Sequence, residues 1–507
     1  MRKKTTSRAS LLASVFALSA QIVLNPISTF AGAGPQQRGE KIEQSTKGAV
    51  IKGKAPVSKE VLKVKLPKAE ESTLKNGLRI VLLEDHKAPT FALQMVVMSG
   101  GLSDPPDARG TASFTASLLR EGTQRRSSKE IAEQVDSLGA SLTAGAGFAT
   151  PTSSVSASGL VENFDQILDI FSDVVLHPSF PKEEVARFKA RQLAQLQFYK
   201  SVPQLLAYAT FYHAVYGDHP ASYIVPTAES VQKITPEALA KFHSTFYTPN
   251  NAMLAIAGDV TMKEIVSKVE AAFGGWEKGD APATQVPQTP APEPAKVILV
   301  DRPGSVQTNL LMGCLSIERT DSDYFPLLVM DKIVGGGPAA RLFLNLREDK
   351  GYTYGAFSSF SSGKYRGLWQ ANSEVRTPVT DGAMHEFMSE LNRIRDERVS
   401  DAELTNAKRS IVGSFALSLE QPSQLLSFII EQKIYGLPAD YWDAYPAKVD
   451  AVSAEDVQRV ARKYVDLSHL QIVAVGDAST IKGPLEKYGK VELYDENGKP
   501  VQGDKGK

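Results

Sequence analysis

The chain has 507 residues, 57 basic against 57 acidic, and a formal charge of zero. At roughly 100–200 residues per domain it holds more than one core, and the charge balance excludes a global basic field of the kind that draws nucleic acid. Cys314 is the only cysteine, which excludes an intramolecular disulfide and leaves packed cores to supply stability.

At the N-terminus, Arg2, Lys3, Lys4 and Arg8 precede a mostly apolar run, 11–24, and the small residues Ala31-Gly32-Ala33. Charged start, apolar middle and small-residue end make a secretory signal over residues 1–31, and the run is short for a span of about 20 residues. Cleavage is expected, with a periplasmic or secreted destination and no membrane span afterwards. The remaining chain carries 53 basic and 57 acidic side chains. Residues 32–70 are rich in Lys, Glu, Gln, Gly and Pro and read as a flexible lead-in, with order expected to begin near Leu74.

Residues 78–83 and 91–97 are apolar, β-branched runs that read as a pair of strands with a turn region between them. Residues 110–119 read as helix. Ser127 with Glu130 three residues on is a capping box for a second helix that repeats Ile131, Val135 and Leu138. Residues 141–143 and 152–158 alternate like strands, and 164–176 and 183–199 read as long helices. These fall in a first half, 71–278. Residues 279–295 contain five prolines and almost no large apolar side chains. Proline fixes the backbone and removes an amide donor, so this is an extended linker. A second half follows over 296–490, then a tail, 491–507.

The halves repeat one another. Residues 234–239 precede Phe246-Tyr247 and an apolar run ending Gly258-Asp259. Residues 452–457 precede Tyr464-Val465 and a run ending Gly476-Asp477. The offset is 218 throughout, which points to two homologous α+β units. In the second half, Leu311, Met312 and Leu315 around Cys314 predict a buried strand and an inert thiol.

The seven histidines are His86, His177, His213, His219, His243, His385 and His469. No two have the three- or four-residue spacing that zinc ligands on one helix require. No Gly-x-Ser-x-Gly elbow surrounds a candidate nucleophile serine.

The segment Gly110-Thr111-Ala112-Ser113-Phe114-Thr115-Ala116-Ser117-Leu118-Leu119-Arg120-Glu121-Gly122-Thr123 resembles the frame of the inverted zinc motif H-x-x-E-H of the pitrilysin, insulinase and mitochondrial processing peptidase family. Ser113 and Ser117 then stand at the two histidine positions, Ala116 at the glutamate base, and Gln195, on the helix that follows Phe180-Pro181, at the third ligand. Neutral hydroxyls are poor zinc ligands, and an alanine cannot move a proton. In the second half, Gly335-Gly336-Gly337-Pro338, Arg341-Leu342-Phe343 and the stretch 344–355 resemble the family segment that holds an arginine and a tyrosine seven residues apart, here Arg347 and Tyr354. In the family such a pair meets the scissile peptide, where it can hydrogen-bond the developing oxyanion. Ser141, Leu142 and Thr143 match the strand that pairs with extended peptide.

The resemblance covers roughly residues 70–490. It implies an α+β fold of two homologous halves, each a largely antiparallel sheet packed with helices, forming a clam-like shell. It implies a non-catalytic subunit that holds no metal and supplies Arg347 and Tyr354 to the cleft of a homologous zinc-bearing partner for peptide cleavage. The alternative is a peptide-binding or structural assembly protein with no role in proteolysis.

Overall fold

The computed structural model describes residue 64 and residues 66–501; the expected signal segment and nearly all of the expected lead-in lie outside them. Fourteen strands run along this stretch: β1 (Glu70–Thr73), β2 (Arg79–Glu84), β3 (Thr90–Val97), β4 (Ser141–Ala146), β5 (Ser153–Leu160), β6 (Ala252–Gly258), β7 (Lys296–Asp301), β8 (Gln307–Leu315), β9 (Ile317–Glu318), β10 (Thr353–Phe360), β11 (Ser362–Gly363), β12 (Leu368–Arg376), β13 (Gln471–Gly476) and β14 (Val491–Tyr494). One sheet has the order β1-β2-β6-β3-β5-β4, the other β10-β12-β8-β13-β7-β14, and β9 pairs with β11 in a small ribbon. Read from the free edges β4 and β10 inward, five strands match one for one, including the one parallel pair among those five, β2 with β6 and β7 with β13. The sixth strand differs. β1 comes from before the first unit and runs antiparallel, whereas β14 comes from after the second and runs parallel.

Two expectations are corrected here. The runs at 78–83 and 91–97 form strands but do not pair with each other: β6, more than 150 residues downstream, lies between them. Order also extends beyond the expected limits at both ends. β1 precedes Leu74, Leu66 donates its amide to Asp443 Oδ1 at 2.9 Å, and β14 uses the first residues of the expected tail.

Each sheet buries one face against helices of its own half. In the first half these include Phe164–Leu176, whose Ile167, Phe171 and Val174 face β3 and β5 at helical spacing. In the second, Ala454–Tyr464 carries a Ser453/Asp456 capping box and buries Val457, Val460 and Ala461. Such spacing is the amphipathic pattern of a surface helix.

The opposite faces are closed by an exchange. Helix Pro203–Tyr216 of the first half lays Ala207, Phe211 and Val215 on Ile298, Leu311, Val473 and Val475 of the second sheet. Helix Pro422–Tyr435 of the second half lays Leu425, Leu426, Ile429 and Ile430 on Val81, Val96, Met253 and Ala255 of the first. Both helices start with proline at the first turn, where no amide partner is lost, and stop at a glycine of positive φ, Gly217 at 55° and Gly436 at 62°. The exchange explains why β6 and β13 are buried along their whole length: strands covered on both faces read as unbroken apolar runs.

The proline-rich segment has no regular structure but is hooked at intervals. Asn250 Nδ2 donates to Gly279 O at 2.7 Å, the Arg366 amide donates to Thr289 Oγ1 at 3.2 Å, and Gln471 Nε2 donates to Pro294 O at 2.9 Å. It crosses from one half to the other as an ordered strap.

Because Phe211 is fully buried across the junction, Phe211→Ala should cost about 3–5 kcal/mol. Denaturant unfolding followed with probes in each half should show both transitions shifting together, whereas independent midpoints would show that the halves fold separately. A second prediction concerns acid. His243 is packed against Tyr247 and Phe180, its Nε2 bonds Val175 O at 2.8 Å, and burial lowers its pKa to about 4. The folded value lies below the unfolded one of about 6.5, so the neutral ring is favoured. Its contribution of about 3 kcal/mol is complete above pH 6.5 and is lost as pH falls towards 4. His243→Gln should flatten the acid limb of a stability–pH curve between those values.

Candidate functional site

The helix Thr111–Leu118 begins under Asp104, whose Oδ2 accepts from the Gly110 amide at 2.6 Å and Oδ1 from the Ala112 amide at 2.7 Å. Burial raises this carboxyl to about 7 against the pull of those two amides. Gly110 sits at φ 99°, and a Cβ there would come within 2.8 Å of Phe148, so only glycine lets the chain enter the helix at this angle. Ala112, Phe114 and Ala116 face the core, Ala116 with no exposure at all. Ser113 and Ser117, four residues apart, face a cavity.

The helix Lys182–Ser201 forms the neighbouring wall. Gln195 faces the same cavity and donates from Nε2 to Tyr199 Oη at 2.6 Å; burial raises the Tyr199 phenol. Ser113, Ser117 and Gln195 therefore line one cavity, and Ala116 does not. Two hydroxyls and a carboxamide are not a donor set for zinc, which takes thiolate, imidazole or carboxylate. Among the described residues no group of three or more His, Cys, Asp or Glu side chains is placed to hold a metal ion.

The cavity has a volume of about 1210 Å³ and is shared by both halves. Its far wall is the helix Tyr324–Val334 with the edge strand β10. Asp331 on that helix accepts at Oδ1 from Ser358 Oγ at 2.7 Å and Trp369 Nε1 at 3.2 Å, and burial raises it to about 6. Sequence reasoning missed this residue, although the 218-residue offset carries Ser113 onto Asp331. It also missed Arg191 and Tyr199, which line the cavity one helical turn either side of Gln195; i, i+4 spacing from Gln195 would have found both.

The strand residues Ser141, Leu142 and Thr143 lie on β4, whose outer edge pairs with no other strand. The cavity, however, touches the later residues Ala144 and Ala146, and Arg120 Nη1 already donates to Leu142 O at 2.8 Å. Arg347 and Tyr354 are elsewhere. Arg347 lies in a π-helical turn, Leu344–Asp349, with its guanidinium 4.7 Å from the Phe343 ring and 3.5 Å from Glu348. Tyr354, on β10, is 89 % exposed. Neither residue lines the cavity. Cys314 is buried in β8, its thiol pushed up to about 11 by burial, which removes it as a nucleophile at neutral pH.

Two duplicated α+β halves closed into a clam-like shell around one shared cavity define the class. Residues 79–227 match the family described as Insulinase (Peptidase family M16), and residues 233–411 match the Peptidase M16 inactive domain. The chain belongs to this peptidase family. It is 25 % identical over 394 residues to an uncharacterized zinc protease of Bacillus subtilis, covering 77 % of this chain and 94 % of that one. It is 25 % identical over 435 residues to an uncharacterized zinc protease of Streptomyces coelicolor, covering 84 % and 91 %. Among solved structures, a peptidase M16 inactive domain from Pseudomonas fluorescens superposes with a TM-score of 0.75 at 26 % identity, covering 81 % of this chain and 98 % of that one. A protease from Helicobacter pylori gives the same TM-score at 20 % identity, covering 81 % and 100 %, and shares the fold.

A gain of metal binding tests the alignment of the vacated positions. The triple variant Ser113→His, Ser117→His, Gln195→Glu should carry stoichiometric zinc after dialysis, measured by elemental analysis, and the natural chain should carry none. Zinc retained by the natural chain would show that its ligands lie elsewhere.

Proposed function

We propose that this chain is the non-catalytic subunit of a secreted or periplasmic zinc peptidase, and that it lends Arg347 and Tyr354 to the cleft of a homologous partner that carries the metal. The observation that carries this reading is the placement of the pair. A tyrosine 89 % exposed and a half-exposed arginine stand on the surface away from the chain's own cavity, so their natural target is another molecule. Leu344 at 49 % and Phe357 at 39 % exposed flank them; apolar exposure beside functional polar groups is typical of an interaction surface. The match of the second half to a domain described as inactive agrees with a chain that assists rather than cleaves.

In this reading the partner supplies the metal, the attacking water and its base. The Arg347 guanidinium and Tyr354 hydroxyl act only as donors, set in advance around the oxygen on which negative charge grows as the peptide carbon becomes tetrahedral. They do not exchange protons with substrate. Arg347, stacked on Phe343, keeps its orientation without a strong carboxylate partner to compete for its donors.

The mature chain mixed with a zinc-bearing homologue from the same source should cleave a quenched peptide library, and a chelator should stop it. Arg347→Ala or Tyr354→Phe should lower kcat about 10²–10³-fold, the cost of one oxyanion donor in acyl transfer, with complex formation unchanged by gel filtration. Full activity in both variants would remove the subunit reading in favour of a peptide-binding or assembly protein. Mass analysis of secreted chain ending its leader near Ala31–Ala33 checks the location.

A further inference from the structure

The cavity is larger than the roughly 300–1,000 Å³ of an ordinary small-ligand site, at about 1210 Å³, and its charges are unbalanced in a way the whole chain is not. Four cationic side chains line it, Arg120, Arg191, Lys332 and Lys364, against two acidic ones, Glu121 and Asp331. Among the described residues none of the four forms an ion pair within 4.0 Å, although Lys332 lies close enough to Asp331 to favour the carboxyl's charged form. Arg120 donates to the Leu142 carbonyl, Lys332 to the Gly336 carbonyl at 2.6 Å, and Arg191 and Lys364 rest over the rings of Phe188 and Tyr435 at 5.6 and 5.5 Å. Both acids also have neutral hydrogen-bond partners. Glu121 accepts from Ser128 Oγ at 2.8 Å, and Asp331 is tied to Ser358 and Trp369 and drawn towards its neutral form by burial.

Cations that outnumber the acids around a concave, low-dielectric wall focus a positive potential into it. Aromatic rings also line that wall, among them Phe198 at 61 % exposed, Tyr199, Tyr212 and Tyr365. Exposed rings accept apolar side chains and the stems of long polar ones. The cations come from both halves, Arg120 and Arg191 from the first and Lys332 and Lys364 from the second, so a ligand that satisfies them must cross the cavity. A single small carboxylate cannot do this, and an extended chain with several can.

We propose that the cavity holds acidic peptides, segments bearing several Asp or Glu side chains interspersed with apolar residues. The choice of a peptide as ligand rests on the peptidase-like reading above; the choice of charge rests on the cavity alone.

The test is calorimetric titration of the mature full-length chain, without partner, with three end-capped decapeptides identical except for Glu, Gln or Lys at four positions. The Glu peptide should bind at least about tenfold more tightly than the Gln peptide, a step of about 1.4 kcal/mol, with the advantage falling as salt rises. The double variant Arg191→Glu, Lys364→Glu, both exposed positions, should reverse the order in favour of Lys while circular dichroism and melting stay unchanged. Equal affinities, preference for Lys in the natural chain, no binding of any peptide, or an unchanged preference in the double variant would overturn the proposal. Displacement of the Glu peptide by free glutamate at its own affinity would overturn the peptide as the ligand. Arg347→Ala should leave these affinities as they are, so a failure here is distinct from a failure of the subunit reading.

Discussion

Everything in this shell depends on the two helices that cross between its halves. A sheet of six strands with both faces apolar cannot stand alone in water, and here each sheet borrows the cover for its second face from the other half. Phe211 sits in the second sheet's territory and Ile429 in the first's. Because the covers are reciprocal, neither half can shift without uncovering both sheets. The cavity wall is thereby fixed: Tyr212 and Tyr216 reach it from the first crossing helix and Tyr435 from the second. The space between the halves is bounded in part by the helices that tie them together.

On that rigid frame the two halves have diverged in chemistry while keeping their strand order. In the first, the helix facing the cavity presents two serines, and Gln195 on the neighbouring helix faces the same space. In the second, the corresponding helix carries a buried carboxyl bound into its own half by Ser358 and Trp369, and Arg347 and Tyr354 lie outside the cavity.

Much of this was legible in the sequence, for identifiable reasons. The 218-residue repeat was visible because capped helix, aromatic, buried strand and Gly-Asp turn recur in order, and the structure places those strings on equivalent elements, β6 and β13 among them. Local signals such as Ser127 with Glu130 were sufficient to set helix starts. Strand neighbours were not readable, because β2 pairs with β6 across some 170 residues and nothing in residues 78–97 tells a hairpin from two strands held apart. The crossing helices were also missed. Their apolar residues look like those of any surface helix, and only the two-sided burial of β6 and β13, written as unbroken apolar runs, hinted that something else had to cover them. At the site, the positions of Ser113, Ser117 and Gln195 were legible through a motif frame, whereas the cavity's cations come from four separate segments and have no common spacing.

The crossing helices also set an order of events for the growing chain. When residues up to 258 have been made, the first sheet is complete in sequence, yet Val81, Met253 and Ala255 still await residues 425–430, and Phe211 awaits strands as late as 471–476. Contacts so far apart close slowly, and until they close each unit offers an apolar sheet face to its surroundings. A chain cut short anywhere before its last strands would therefore be sticky rather than half-functional. The same duplication that makes the shell easy to recognise gives it an all-or-nothing assembly, and it places a premium on holding the emerging first half apart from its neighbours until the second has been delivered.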